Sequence, residues 1–251
     1  MTELSDQNDT FPLGAPDGDF AQDLHLWKLP RGRHGLPREL VEQSQRERLL
    51  AAVIRVTAAK GYQASSVADI LNKAGVGRET FYQHFKNKEK CFMAANDALI
   101  ADLEVRAAEA YAQPGSWPER VRHGLAETLR WFAENSQVAR VMMIETGTVG
   151  TAAGDYFHRT FRRFTALLDE GQDNPTLPNL ASIAAGGIFA RVYEEVTLGN
   201  GAKLPSMLPQ LTFELLLPYL GEEGAAAERD AAMSEQAAGE PTAERTPSIS
   251  N

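Results

Sequence analysis

After Gly75-Val76-Gly77 comes Arg78-Glu79-Thr80-Phe81-Tyr82-Gln83-His84-Phe85, a short segment mixing hydrogen-bonding groups with two phenylalanines. Wound as a helix, it offers Arg78, Glu79, Thr80, Tyr82 and Gln83 on a polar face. Phe81 and Phe85, four residues apart, become anchors into a core. A face of that kind suits the groove of a nucleic-acid duplex. Gly75 can end the preceding helix in the left-handed conformation at no steric cost, and Val76 can plug the gap between the two helices. Two short helices joined this way are the minimum for a helix-turn-helix. A small helical bundle with a glycine turn gives the same pattern, so the surrounding charge has to decide between them.

That charge is uneven. The chain carries a formal −9, yet between Arg31 and Ala95 there are twelve Lys and Arg against six Asp and Glu. From Gly221 to Asn251 seven acids face two arginines. A basic module sits inside an acidic chain, and that module is where a polyanion would bind.

Other chemistry finds little foothold. His25, His34, His84, His123 and His158 are scattered with no metal-ligand spacing, so no metal is expected. There is no glycine-rich phosphate loop and no Gly-x-Ser-x-Gly elbow, so neither a cofactor nor enzymatic catalysis is expected. Cys91 is the single cysteine, which rules out an internal disulfide; beside Phe92 it reads as a buried, inert thiol. No apolar run approaches the ~18 residues of a membrane span, and the first residues lack a secretory pattern. A cytoplasmic protein without a membrane partner is the expectation.

The elements that must position the polar segment are all helical, about nine in number, with no strand alternation. One helix spans Arg38 to Lys60, striped by Leu49, Val53 and Val56 and stopped by Gly61. A short one runs from Val67 to Ala74, with Ser66 as N-cap and Asp69 completing a capping box. Arg78 to Phe85 begins the third. Longer helices follow from near Asn87 to Tyr111, from Ser116 to Glu134, from Tyr156 to Glu170, from Leu180 to Leu198 and from Pro205 to Leu220, with a short one at Gln137 to Ile144. The expected division is a disordered extension with a basic arm at 1–37, a three-helix DNA-binding domain at 38–86, a ligand-binding and dimerisation domain at 87–221, and a disordered acidic tail at 222–251. Within that tail, 225–232 could form transient helix.

The segment from Gly75 to Glu89, with the spacing from Gly61-Tyr62 through Ser66, Val67, Ile70 and Ala74, resembles the recognition region of the tetracycline-repressor (TetR) family. The resemblance is specific from about Leu49 to Phe92. It implies a homodimer whose paired recognition helices enter successive major grooves of a pseudo-palindromic DNA operator, released when a small molecule binds the larger domain. Carried over by position, Arg78 and Thr80 would face base edges, with Gln83 on the same polar face. Tyr82 would touch the backbone or a thymine methyl. His84, Lys88 and Ser66 would contact phosphate, while Phe81 and Phe85 are structural. Glu79 departs from what a phosphate neighbour wants, which leaves the operator sequence unreadable. Upstream, Arg31 and Arg33 form an arm suited to a minor groove, where negative potential attracts arginine; a solvated linker is the alternative.

In the larger domain, aromatics and methionines are ordinary core and also suit an adaptable apolar cavity. Phe132, Met143 and Phe157 are the expected pocket residues for a largely apolar effector, with Arg140 and Glu145 as possible polar additions. For the dimer, small residues in Ala181–Phe189 would let helices approach closely, and with Leu208, Leu211, Leu215 and Leu216 the resemblance implies a four-helix interface; packing into the chain's own core is the alternative. The alternatives are a constitutive DNA-binding regulator without an effector, and a helical enzyme or scaffold with a coincidental helix-turn-helix.

Overall fold

The computed structural model describes residues 37–149, 152–170 and 179–239, with side chains of 152–160 excepted. Arg31 and Arg33 therefore lie outside the described residues. Among those described, every regular element is helical, and no helix is long and apolar enough to cross a membrane.

Local signals in the sequence set the first elements. Helix α1, Arg38–Lys60, ends where Gly61 takes φ 79° and its N–H returns to the Thr57 carbonyl. Its stripe of Leu49, Val53 and Val56 is buried, as are Leu50 and Ile54 beside it. Helix α2, Val67–Ala74, starts with a full capping box: Ser66 accepts from the Asp69 backbone, and Asp69 accepts from the Ser66 backbone. Helix α3, Arg78–His84, follows the glycine turn. Helix α4, Lys88–Tyr111, is capped by the Asn87 side chain. It leaves the small N-terminal domain and runs along α5, Trp117–Glu134, which opens with a Ser116/Glu119 capping box and a proline in its first turn.

Beyond α5 the chain is less regular. Helix α6, Ser136–Arg140, passes into a π-helical turn, Val141–Glu145, and a 3-10 turn, Thr146–Thr148. Helices α7, Ala152–Asp169, and α8, Leu180–Thr197, pack together. A 3-10 turn at Gly201–Met207 leads into α9, Leu208–Gly239. One core runs from Leu49, Ile70, Phe81 and Phe92 through Leu103, Leu129 and Trp131 to Leu211 and Leu216. Inside it, the Trp131 indole donates to Asp102 Oδ2 at 2.8 Å, locking α5 to α4.

Two expectations are corrected. The acidic tail is not disordered over residues 222–239. It continues as the second part of α9 after a break at Gly221, where φ is 72°. Its alanines carry the packing: Ala225 and Ala232, seven residues apart, are fully buried. Arg122 of α5, only 3% exposed, pairs with Glu228 at 3.1 Å and with Glu235. An Ala-Glu composition looks solvated because small side chains give a weak hydrophobic signal, yet they permit close approach to a prepared wall. The second correction concerns the dimer surface. Leu208, Leu211, Leu215 and Leu216 are buried in the chain's own core. Exposed apolar residues in this part of the chain include Ile183, Phe189 and Tyr193 on α8, Leu198 just beyond it, and Leu217 and Met233 on α9.

Candidate nucleic-acid interface and apolar cavity

The turn between α2 and α3 is built as its residue types dictate. Gly75 adopts φ 65°, ψ 37°, and its N–H donates to the Leu71 carbonyl at 2.9 Å, which closes α2. Val76 packs against the core from the turn. Phe81 is fully buried and Phe85 nearly so, with the Arg46 guanidinium 5.0 Å from the Phe85 ring centroid. Held from below, α3 turns Arg78, Glu79, Tyr82 and Gln83 to solvent, with Thr80 half-buried. The Arg78 guanidinium lies 5.7 Å from the Tyr82 ring centroid, so the two form one exposed unit. Lys73 and Lys86 are exposed on either side of α3 in sequence. A Lys60–Asp69 bridge of 2.6 Å ties α1 to α2. Hydrogen bonds from Lys60 and then from Ser66 hold the Asp69 carboxyl at about 2.

Three of the expected phosphate contacts sit differently. Lys88 does not face outward: its Nζ donates to the carbonyls of Tyr62 (2.7 Å) and Ser65 (2.8 Å) and lies 4.0 Å from the Tyr62 ring centroid. Burial lowers its pKa. It closes the 61–65 loop, adding to the bond by which the Ser65 N–H already reaches the Tyr62 carbonyl at 3.1 Å. The Ser66 hydroxyl is exposed but already engaged with Asp69. His84 is half-buried, with Nε2 enclosed and unpartnered among the described residues. Desolvation first, and the nearby Arg46 charge second, lower its pKa, with Glu42 opposing. Cys91 is fully buried, its thiol pushed up to about 12 by desolvation.

In the larger domain α4, α5, α7, α8, α9 and the π turn line a partly open cavity of about 580 Å³. Phe132 and Met143 line it, and Met142 does too. The Phe157 side chain lies outside the described residues. Among the described lining residues none is charged, and the polar side chains are Thr128 and Tyr111. Thr128 spends its hydroxyl on the Gly124 carbonyl at 2.8 Å. Tyr111 donates to Glu170 Oε2 at 2.6 Å, with the Leu167 carbonyl at 3.3 Å. Arg140 is exposed and adds nothing to the lining.

Glu145 reaches the other domain instead. Its Oε2 accepts from the Tyr62 backbone N–H at 2.8 Å, and Gln63 Nε2 donates to the Thr148 carbonyl at 2.9 Å. A Cβ at Gly61 would meet the same carboxylate at an ordinary contact distance of 3.6 Å, so it is the φ of 79°, not space, that favours glycine there. The five-residue π turn therefore carries both a piece of the cavity wall, Met142 and Met143, and a pin on the small domain. Sequence periodicity does not reveal this link, because its partners are 83 residues apart. The same holds for Tyr111 and Glu170, separated by 59.

A surface-presented helix on a three-helix base, followed by a helical body around an apolar cavity, defines a helix-turn-helix architecture with a larger helical domain attached. Residues 49–95 match the model of a family described as bacterial regulatory proteins, tetR family. The HTH-type transcriptional activator FasR of Mycolicibacterium smegmatis is 25% identical over 115 residues, 46% of this chain and 52% of that protein. The HTH-type transcriptional regulator YhgD of Bacillus subtilis is 30% identical over 93 residues, 37% of this chain and 48% of that protein. The chain thus spans about half the length of these curated relatives. Among solved structures, the fatty acid degradation regulator FadR from Bacillus halodurans superposes with a TM-score of 0.59 at 20% identity, covering 68% of this chain and 94% of that one. FadR from Bacillus subtilis, solved in complex with stearoyl-CoA, gives 0.58 at 21% identity, covering 70% and 98%. At this identity the likeness speaks for the fold.

Proposed function

We propose that this chain is a dimeric, sequence-specific DNA-binding transcriptional regulator whose operator affinity is set by a largely apolar small molecule. The observation that carries the reading is the exposed Arg78–Tyr82 face, held rigid by buried Phe81 and Phe85 in a segment that matches the tetR family model. Arg78 is suited to a bidentate bond with guanine. Thr80, Tyr82 and Gln83 stand beside it, and exposed Lys73 and Lys86 supply phosphate charge in place of Lys88. A second copy would pack through the exposed apolar residues of α8 and Leu217, bringing two recognition helices into one register.

The cavity supports the effector half of the reading. Its described wall has no charge and no unspent polar group, so it favours a hydrocarbon chain. The stearoyl-CoA complex of the similarly folded FadR from Bacillus subtilis fits that chemistry. Occupancy would act through the π turn: whatever displaces Met142 or Met143 also moves Glu145 and its bond to Tyr62. A ligand that favours one setting of this link shifts the population between DNA-competent and DNA-incompetent states.

The test is a mobility-shift series on DNA flanking the chain's own coding region. Specific, strongly salt-dependent binding is expected, because phosphate contacts release counterions. Long-chain acyl compounds should release the DNA. Binding that ignores salt, or that persists unchanged in Arg78→Ala, would overturn the DNA-reading role of α3.

A further inference from the structure

Behind Tyr111, at the edge of the apolar cavity, lies a polar cluster. Tyr111, in the last turn of α4, lines the cavity with its ring and bonds through its hydroxyl to Glu170, a half-exposed carboxylate just beyond α7. Arg120 of α5 lies with its guanidinium 4.8 Å from the Tyr111 ring centroid, and its Nη2 pairs with Glu170 Oε1. Trp117 closes the same corner, its indole donating to the Leu167 carbonyl at 3.3 Å. Two donors from different helices, a phenol and a guanidinium, thus converge on the two oxygens of one carboxylate. That is the geometry by which a protein holds an anion's paired oxygens.

We propose that Arg120 and Tyr111 form the head-group site of the effector cavity, receiving the terminal anion of a hydrocarbon-chain ligand where the Glu170 carboxylate now sits. This rests on the effector reading given above and adds the polar half of the ligand. A chain buried in the cavity must leave its polar end in water or on a partner, since desolvating it unpaired is costly. Thr128 is already spent, so the described lining offers the head nothing deeper in. Glu170 is a weak incumbent: an exposed ion pair contributes little, and an anion tethered to a buried alkyl chain competes at high effective concentration. Burial pushes the Tyr111 hydroxyl up to about 12, so it stays a donor at neutral pH. The ligand class is therefore a long alkyl chain ending in a carboxylate or a phosphate.

Calorimetric titration of the full chain with dodecanoate, dodecyl phosphate and dodecan-1-ol tests it. Arg120→Gln should weaken binding of at least one anion by roughly tenfold or more, the usual effect of losing a charge-assisted hydrogen bond, while the alcohol binds as before. Glu170→Gln should tighten that same anion, because the incumbent is neutralised. The anion that responds identifies the head. Equal weakening of the alcohol in Arg120→Gln would make the cluster a structural clasp and overturn the proposal. So would wild-type affinities that ignore the head group and both substitutions, although the cavity reading would then stand. If none of the three probes binds the wild-type chain, the cavity reading falls as well.

Discussion

In the α1–α3 region the informative side chains point outward from a rigid base, whereas in the α4–α9 region they point inward around a void. Arg78 and Tyr82 are exposed and spend little on their own fold; Phe132, Met142 and Met143 are buried and both shape the core and line the cavity. The difference teaches that the two regions should fail differently. On the outward face, binding and stability separate. Around the void they are coupled, because a residue that meets the ligand also supports the wall.

Substitutions can sharpen or break this contrast. The largest effect is expected at Phe81→Ala, which removes a fully buried anchor and should cost about 3–5 kcal/mol in urea unfolding, with DNA binding lost alongside. Arg122→Ala comes next. It strands the Glu228 and Glu235 carboxylates against the wall of α5, and breaking such a pair costs on the order of 3 kcal/mol, discounted because Glu235 is exposed. A midpoint unchanged from wild type would show that α9 holds on through its alanines alone. Arg78→Ala should cost about 1–3 kcal/mol of sequence discrimination in competition binding, with an unchanged urea midpoint. A shift of that midpoint would erase the distinction between the regions.

Smaller still, Glu145→Ala leaves the Tyr62 N–H without its partner, a cost of about 1–3 kcal/mol if water does not reach it. Effector titration should then release DNA less completely. The smallest effect concerns acid. Asp69 is held below its ordinary value, so its contribution is present above about pH 4 and fades as pH falls toward 2. Asp69→Asn should lower the thermal midpoint at pH 7 and leave it unchanged near pH 2.

The same contrast explains what could be read from the chain alone. The helix-turn-helix was legible because its determinants are local: the Ser66/Asp69 box, the left-handed Gly75 and the Phe81/Phe85 pair all act within four residues. All-helical architecture followed from periodicity for the same reason. The bonds of Lys88 are not legible locally, because its carbonyl partners belong to a loop more than twenty residues away, which only the folded chain brings to it. Leu211 and Leu216 carried the pattern of an interface, since hydrophobic spacing does not say whether the surface beneath belongs to the same copy. The Tyr111–Arg120–Glu170 corner had no local mark at all.

Gly221 interrupts α9 just before its acidic half. Its positive φ is a conformation that a side chain would resist, and it folds the acidic end of the chain back onto α5. An unanchored polyanionic segment near a cationic DNA-reading surface acts as a decoy, occupying lysines and arginines intended for phosphate. With Glu228 and Glu235 clasped to Arg122, two of those carboxylates already have their counter-ion within the same body. On the proposed DNA-binding reading, the chain can then be acidic as a whole without residues 222–239 imitating DNA to its own recognition face.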